Sequence, residues 1–386
     1  MSEISSHQEN LTRKHPNFSP LKSLEQKLNS EKLIRIFQES IKNPEGFWEK
    51  YSNIIAKNFA ERRFTTNDEE ANTAIIIPVH NDIEKGHLLA VLCALSQLEI
   101  PNEKKVIVLI ISHNTEDHQN KKLKEILESI GNPVELIIYN NENLKGPSYP
   151  IQLGVNILPD NIEEVGFIDD DTVVPPDWLM NMSEAIKKGY DIAVAPRIYL
   201  NNKGEEIPYS KIKTAFELLY PRIKKLIMGN SYFNLKKLRE LINPHLGAMV
   251  DDGFIQEKAS QKQYKLALVK QARAVSDGEK YANLKRWELI TSIYQRIRNI
   301  GLGITNTKDH VEFLLLFLPR YYPNFKKFIE SKYPNIYQDY AEGKITNLGK
   351  LLQQLKECYE EFNKMNKPIM EEDISRIKNS RKQNQF

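Results

Sequence analysis

Between residues 73 and 168, short apolar runs rich in β-branched side chains alternate with helical stretches, and this alternation limits the possible folds most. Thr73–Pro78, Val106–Ser112, Val134–Tyr139 and Val165–Ile168 read as buried strands. Helical spacing falls between them, from about Gly86 to Leu98, over Lys121–Ile130 and near Ile151–Ile157. Strands buried on both faces and separated by helices specify an α/β fold, a mostly parallel twisted sheet with helices on both faces. Asp191–Ala195 and Tyr264–Val269 add later strands.

The flanks have another texture. Residues 1–70 are rich in Lys, Glu, Asn and Ser, with helical spacing in Leu21, Leu24, Leu28 and again in Leu33, Ile36, Phe37, Ile41. They read as a helical N-terminal extension with a frayed start. After an α/β domain over 71–287, residues 288–377 form a helical C-terminal region, with helices at Val311–Phe317, Leu348–Phe362 and Glu372–Ile377 and an earlier one over Trp287–Ile300. The polar tail 378–386 is expected to be disordered.

Composition removes several function classes. The 54 Lys and Arg against 51 Asp and Glu give a net charge of +3, too balanced to argue for nucleic acid. Two cysteines, Cys93 and Cys358, exclude a disulfide framework and point to a reducing cytoplasm. The polar N-terminus has no signal-peptide core, and no run approaches the roughly 20 apolar residues of a membrane-spanning helix. A soluble cytoplasmic protein is expected, with a peripheral membrane contact left open.

The segment Val165-Gly166-Phe167-Ile168-Asp169-Asp170-Asp171, followed by Pro175-Pro176-Asp177-Trp178, carries the strongest chemical signal. Three adjacent carboxylates repel one another and gain nothing from burial alone. They follow a buried strand at its carboxyl end, where ligands bind in open α/β sheets. Alternate residues there face the same way, so Asp169 and Asp171 can converge on one hard cation that bridges diphosphate oxygens. The competing reading is a solvated acidic loop in which Asp170 or Asp171 helps start the next helix. The buried strand before it and the Pro-Pro-x-Trp helix start after it favour metal binding.

This stretch resembles the Asp-x-Asp motif of the family 2 glycosyltransferases. In that family the first strand ends in a hydrophobic-Pro-x-aromatic-Asn pattern, matched here by Ile77-Pro78-Val79-His80-Asn81. Asn143-Leu144-Lys145-Gly146 and Gln152-Leu153-Gly154 resemble the family's Asn-x-Gly…Asn-x-Gly stretch, and Gly229-Asn230-Ser231-Tyr232-Phe233 its small-residue strand near the donor sugar. The resemblance covers about residues 73–287 and implies a GT-A fold, a nucleotide-sugar donor, and Mn²⁺ or Mg²⁺ at Asp169 and Asp171. It places Pro78, His80, Asn81, Ser112, Lys145, Gly146, Asp170 and Asn230 around the donor. The acceptor is a glycan, a lipid or a protein.

A second acidic pair lies in Asp251-Asp252-Gly253-Phe254-Ile255-Gln256-Glu257-Lys258, which resembles the family's acidic-Asp-x-x-Leu-x-x-Arg pattern with Ile and Lys in the last two places. It opens a helix, where the macrodipole favours carboxylates, so an acidic helix cap is an adequate structural reading. The catalytic reading makes Asp252 the general base on the acceptor hydroxyl of an inverting transfer, with Asp251 orienting the acceptor. Asp277, in Ser276-Asp277-Gly278, stands where relatives often carry a metal-binding His; a turn Asp before Gly is the plainer account. Asn283-Leu284-Lys285-Arg286-Trp287 is similar to the Gln-x-x-Arg-Trp motif of processive members, with Arg286 for phosphate and Trp287 for sugar or core.

The second strand departs from the family pattern, ending in Ser112-His113-Asn114 where the family has a carboxylate near the nucleobase. UDP is the default donor nucleotide and GDP an alternative. Two rival readings stand beside the transferase: a sugar-phosphate nucleotidyltransferase, and a non-catalytic relative that binds nucleotide sugars.

Overall fold

The computed structural model describes residues 20–79, 86–144, 146, 148–201, 203–207, 229–248, 252–278 and 307–384. The four expected early strands form as β1 Thr73–Val79, β2 Val106–His113, β3 Glu135–Tyr139 and β4 Glu164–Ile168. With β6 Ile192–Val194, β8 Asn230–Asn234 and β9 Leu266–Leu268 they build a seven-stranded sheet in the order β3-β2-β1-β4-β8-β6-β9. β8 alone runs antiparallel to its neighbours. The α/β fold expected of the sequence is therefore the one observed. A smaller sheet, β5 Thr172–Val173, β10 Ala274–Asp277 and β7 Arg197–Leu200, sits beyond the end of β4.

Strand alternation divides the core. Ala74, Ile76, Leu109 and Ile111 face one side, under helix α5 Ser148–Ile157 and the C-terminal helices. Ile75, Ile77, Val108 and Ile110 face the other, under α1 Pro20–Lys42, α2 Pro44–Glu61, α3 His87–Leu95 and α4 Asp117–Ser129. Helix α6 Trp178–Lys187 starts where Pro175-Pro176 predicts it. Its Trp178 is fully buried edge-on against Tyr232, over Gly166 of β4. A side chain at Gly166 would lie 2.6 Å from the Trp178 ring, so the indole occupies the space this glycine leaves.

Three expectations change. The strand expected over Tyr264–Val269 shortens to β9, and after a 3₁₀ turn over Lys270–Ala272 the chain leaves the large sheet and enters the small one as β10. The two late helices are one, Leu348–Asn384, with Pro368 inside it. The tail expected to be disordered is its last turns through Asn384, fixed by a buried Arg381. The expected helix over Trp287–Ile300 lies outside the described residues. Among the described residues no helix is long and apolar enough to cross a membrane.

Both cysteines are buried thiols. Burial pushes the Cys93 thiol up to about 11 and also raises that of Cys358. Thiolate is the reactive form, so neither is abundant near neutrality. Iodoacetamide at pH 8 should label neither cysteine in folded protein and both after denaturation, read by intact mass. Rapid labelling of the native chain would show that these positions open readily.

Candidate active site

The acidic turn sits at the carboxyl end of β4, at the junction of the two sheets. Asp169 to Thr172 closes as a turn, the Thr172 N–H donating to the Asp169 carbonyl at 3.0 Å. Asp169, Asp170 and Asp171 therefore lie in a turn between β4 and β5 and not in a strand with alternating side chains. The Asp169 and Asp171 side chains are partly exposed.

Each carboxylate is held by a group from a distant segment. Asp169 Oδ2 accepts from Arg197 Nη2 at 3.0 Å, and the Arg197 side chain is only 2% exposed. Asp171 Oδ1 accepts from the hydroxyls of Thr172 at 3.1 Å and Ser276 at 3.0 Å. Ser276 also lies 3.4 Å from Arg197 Nη1, so Asp169, Arg197, Ser276 and Asp171 form one connected network. The register of the small sheet makes this possible, since β10 pairs Ser276 with Thr172 on one side and with Tyr199 on the other. It also sets the Asp277 N–H on the Asp171 carbonyl at 3.3 Å.

Gly229 completes the turn. Its carbonyl accepts the Asp169 N–H at 3.1 Å, and a Cβ built on it would overlap the Asp169 carboxylate. Arg197, Ser276 and Gly229 were not singled out for this role by the sequence. Arg197 follows Pro196 at a strand start and its partner lies 28 residues earlier, so no local pattern marks it.

Other candidates are spent internally. The Asn230 side chain is fully buried, accepting from Trp178 Nε1 at 2.7 Å and donating to the Ala195 carbonyl at 3.1 Å. Ser112 is fully buried, its hydroxyl donating to Asn120 at 2.6 Å. Both sit at strand ends near the site while their polar atoms face the protein. Pro78 is buried in β1 opposite Ile111 of β2. Gly146 is partly exposed before α5, and Asp170 is partly exposed at the tip of the turn.

Helix α7 Leu235–Ile242 follows β8, and Asp252 is the first residue of the next helix, α8 Asp252–Gln261. His80, Asn81, Lys145, Asp251, Arg286 and Trp287 lie outside the described residues. Asp277 reaches the acidic turn through its backbone. Among the described residues no three His, Cys, Asp or Glu side chains gather as a metal-binding group.

The N-terminal extension reaches two loops at this edge. Gln38 of α1 donates to the Gly204 carbonyl at 2.6 Å, and Gly204 has a positive φ with the Gln38 side chain where its Cβ would be. Gly86, also at positive φ, lies against the Ser40 carbonyl.

Residues 74–242 match the sequence model of glycosyl transferase family 2. The match contains Asp169–Asp171, Arg197 and Gly229, and ends before Asp252 and Asp277. No curated protein sequence matches the chain. Among solved structures, GalNAc-T7 with UDP, GalNAc and Mn²⁺ aligns at 14% identity and TM-score 0.42, over 62% of this chain and 52% of that one. This chain therefore spans about half the length of that relative. TarS 1–349 of S. aureus in complex with UDP-GlcNAc aligns at 16% identity and TM-score 0.42, over 72% and 93% of the two chains. The mannosyltransferase PcManGT from Pyrobaculum calidifontis, in complex with GDP-Man and Mn²⁺, aligns at 12% identity and TM-score 0.43, over 86% and 98%. The acidic turn at the end of β4 thus lies inside the segment, residues 74–242, that matches the glycosyl transferase family 2 model.

Proposed function

We propose that the protein transfers a sugar from a nucleoside diphosphate sugar to an acceptor hydroxyl with inversion at the anomeric carbon. The observation that carries this reading is the pair Asp169 and Asp171, fixed at the carboxyl edge of the sheet by Arg197, Thr172 and Ser276. A buried arginine and a strand register devoted to orienting two half-exposed carboxylates are more than a solvated loop needs. The family 2 match over this segment supports the same class.

The donor set suits a hard divalent cation, because both side chains offer carboxylate oxygens and each is oriented by fixed hydrogen-bond donors. Asp171 and Asp169 would hold Mn²⁺ or Mg²⁺, with Asp277 as the further candidate. The bound ion would neutralise charge on the diphosphate as it leaves. Arg197 keeps Asp169 in place and limits the repulsion between the adjacent carboxylates. Asp252, at the first turn of α8, would take the proton of the acceptor hydroxyl, where the helix macrodipole favours its ionised form. Asp251 would orient the acceptor.

On the donor side, Pro78, His80 and Asn81 would meet the nucleobase, with Ser112 behind them. Lys145, Gly146 and Asp170 would approach the phosphates and sugar. Arg286 would contact phosphate and Trp287 would stack on sugar. UDP is the first donor nucleotide to test and GDP the second, with a glycan, lipid or protein as acceptor.

The deciding experiment measures nucleotide release from a panel of nucleotide sugars with Mn²⁺, for wild type, Asp171→Ala and Asp252→Asn. Wild type should release one nucleoside diphosphate in a metal-dependent way. Asp171→Ala should lose about a thousandfold of that rate. Asp252→Asn should bind donor normally and turn over about a hundredfold to ten-thousandfold more slowly. Silence across the panel without metal-dependent nucleotide binding would replace this reading with the non-catalytic one. Pyrophosphate release from a nucleoside triphosphate and a sugar phosphate would replace it with nucleotidyl transfer.

A further inference from the structure

Gln152 lies in the middle of α5 with no exposed surface. A buried primary amide needs partners for both its carbonyl and its amino group. Here both partners belong to one loop. Gln152 Oε1 accepts from the Gly247 N–H at 2.9 Å, and Nε2 donates to the Ala248 carbonyl at 2.7 Å. The side chain thus grips two consecutive residues of a segment almost a hundred positions away, four residues before α8 begins at Asp252.

The same loop is fixed from its other side. Gly247 has φ +80, and a Cβ there would lie 2.6 Å from the Lys367 nitrogen and 2.7 Å from the Asn366 carbonyl carbon. Both are backbone atoms of the C-terminal helix, which cannot give way as a side-chain tip could. Asn366 donates to the Tyr149 hydroxyl at 3.2 Å, tying that helix back to α5. Beyond the loop, Phe254 of α8 packs edge-on against His245 with ring centres 4.7 Å apart, and Ile255 is fully buried. The loop is therefore anchored before and after the second acidic pair.

We infer that Gln152 and the C-terminal helix at Asn366–Lys367 form a two-sided clamp that positions the start of α8, and with it Asp252, for proton removal from the acceptor. This rests on the reading of Asp252 as general base. Gln152 is a positioning residue, acting through the backbone at Gly247 and Ala248. It occupies the family's second Asn-x-Gly position, but its amide is directed at the loop that leads to α8. Misplacing a reacting group by about 1 Å can cost about a hundredfold in rate, so a relaxed clamp should lower kcat far more than it weakens donor binding.

Gln152→Glu supplies a test that simple packing does not mimic. The volume is conserved, and the carboxylate still accepts from Gly247, but when ionised it faces the Ala248 carbonyl with no proton to donate. Burial raises such a carboxyl group's pKa, and the protonated acid restores the lost donor. Transfer kcat, divided by the wild-type value at the same pH, should be down about tenfold to a hundredfold at pH 8. It should climb towards one as pH falls to 6, while donor Kd stays at the wild-type value. Gly247→Ala presses on the clamp from the opposite side and should lower kcat to a similar extent, which keeps the test open should the Glu variant not fold. A ratio flat with pH, a donor Kd that moves in step with kcat, or a Gly247→Ala kcat within twofold of wild type would overturn the clamp. Transfer by wild type with any of these results removes the clamp alone; a silent wild type removes the reading of Asp252 and the clamp with it.

Discussion

Gly229→Ala should abolish metal-dependent donor turnover nearly as completely as removal of Asp169 itself. The added methyl would occupy the position of the Asp169 carboxylate, falling 1.8 Å from its carboxyl carbon. Backbone retreat is restricted, because Gly229 and Asp169 are joined by a main-chain hydrogen bond and the next residues enter paired β8. The carboxylate must therefore swing away, leaving Arg197 buried beside a lost partner. Loss of an oriented site carboxylate predicts a fall in turnover of about a hundredfold or more. The abandoned guanidinium adds a stability loss on the order of 2–4 kcal/mol, held below the full cost of a broken buried pair because Asp169 is partly exposed. Nucleotide release and urea unfolding measure the two effects. A double-mutant cycle separates them: with Asp169→Ala in the background the methyl has room, so Gly229→Ala should then cost little. An active Gly229→Ala enzyme would remove Asp169 from the proposed site.

What the sequence discloses depends on how local each determinant is. The strands at Thr73, Val106 and Val165 are legible because their continuous apolar runs are dictated by burial on both faces. The acidic turn is legible because three carboxylates at a strand end need an external reason. The groups that hold it are not, since Arg197 and Ser276 meet Asp169 and Asp171 only through pairing of β10 with β5 and β7. Asn230 and Ser112 show the opposite effect. Polar residues at strand ends look ligand-facing in sequence, yet these two satisfy Trp178 and Asn120 inside the protein. Gln152 was legible only as part of a Gly-containing pattern, because its partners at Gly247 and Ala248 are main-chain groups that carry no sequence signature.

Arg381→Met should destabilise the protein by about 2–4 kcal/mol, although it lies where composition suggests a disordered tail. Its guanidinium binds Glu135 through Nε at 2.7 Å and Nη2 at 2.8 Å, Asp68 at 2.6 Å, and the Ile157 carbonyl at 2.8 Å. The side chain is 5% exposed, against 16% for Asp68 and 23% for Glu135. One cation thus joins the segment before β1, the start of edge strand β3 and the end of α5. Methionine replaces the apolar stem but leaves two carboxylates facing each other with no counter-charge. Their partial exposure lets water recover some of the loss, which keeps the expected value below the full penalty for breaking a buried pair. Glu135→Gln added to Arg381→Met removes one of the stranded charges and should recover part of the stability. Urea unfolding followed by tryptophan fluorescence reads both steps. A loss under about 0.5 kcal/mol would mean that the last turns of the C-terminal helix fray in solution, since surface substitutions typically fall in that range. A loss of the expected size would show that the last turns of this helix are docked against β3 and α5, where Arg381 makes its contacts.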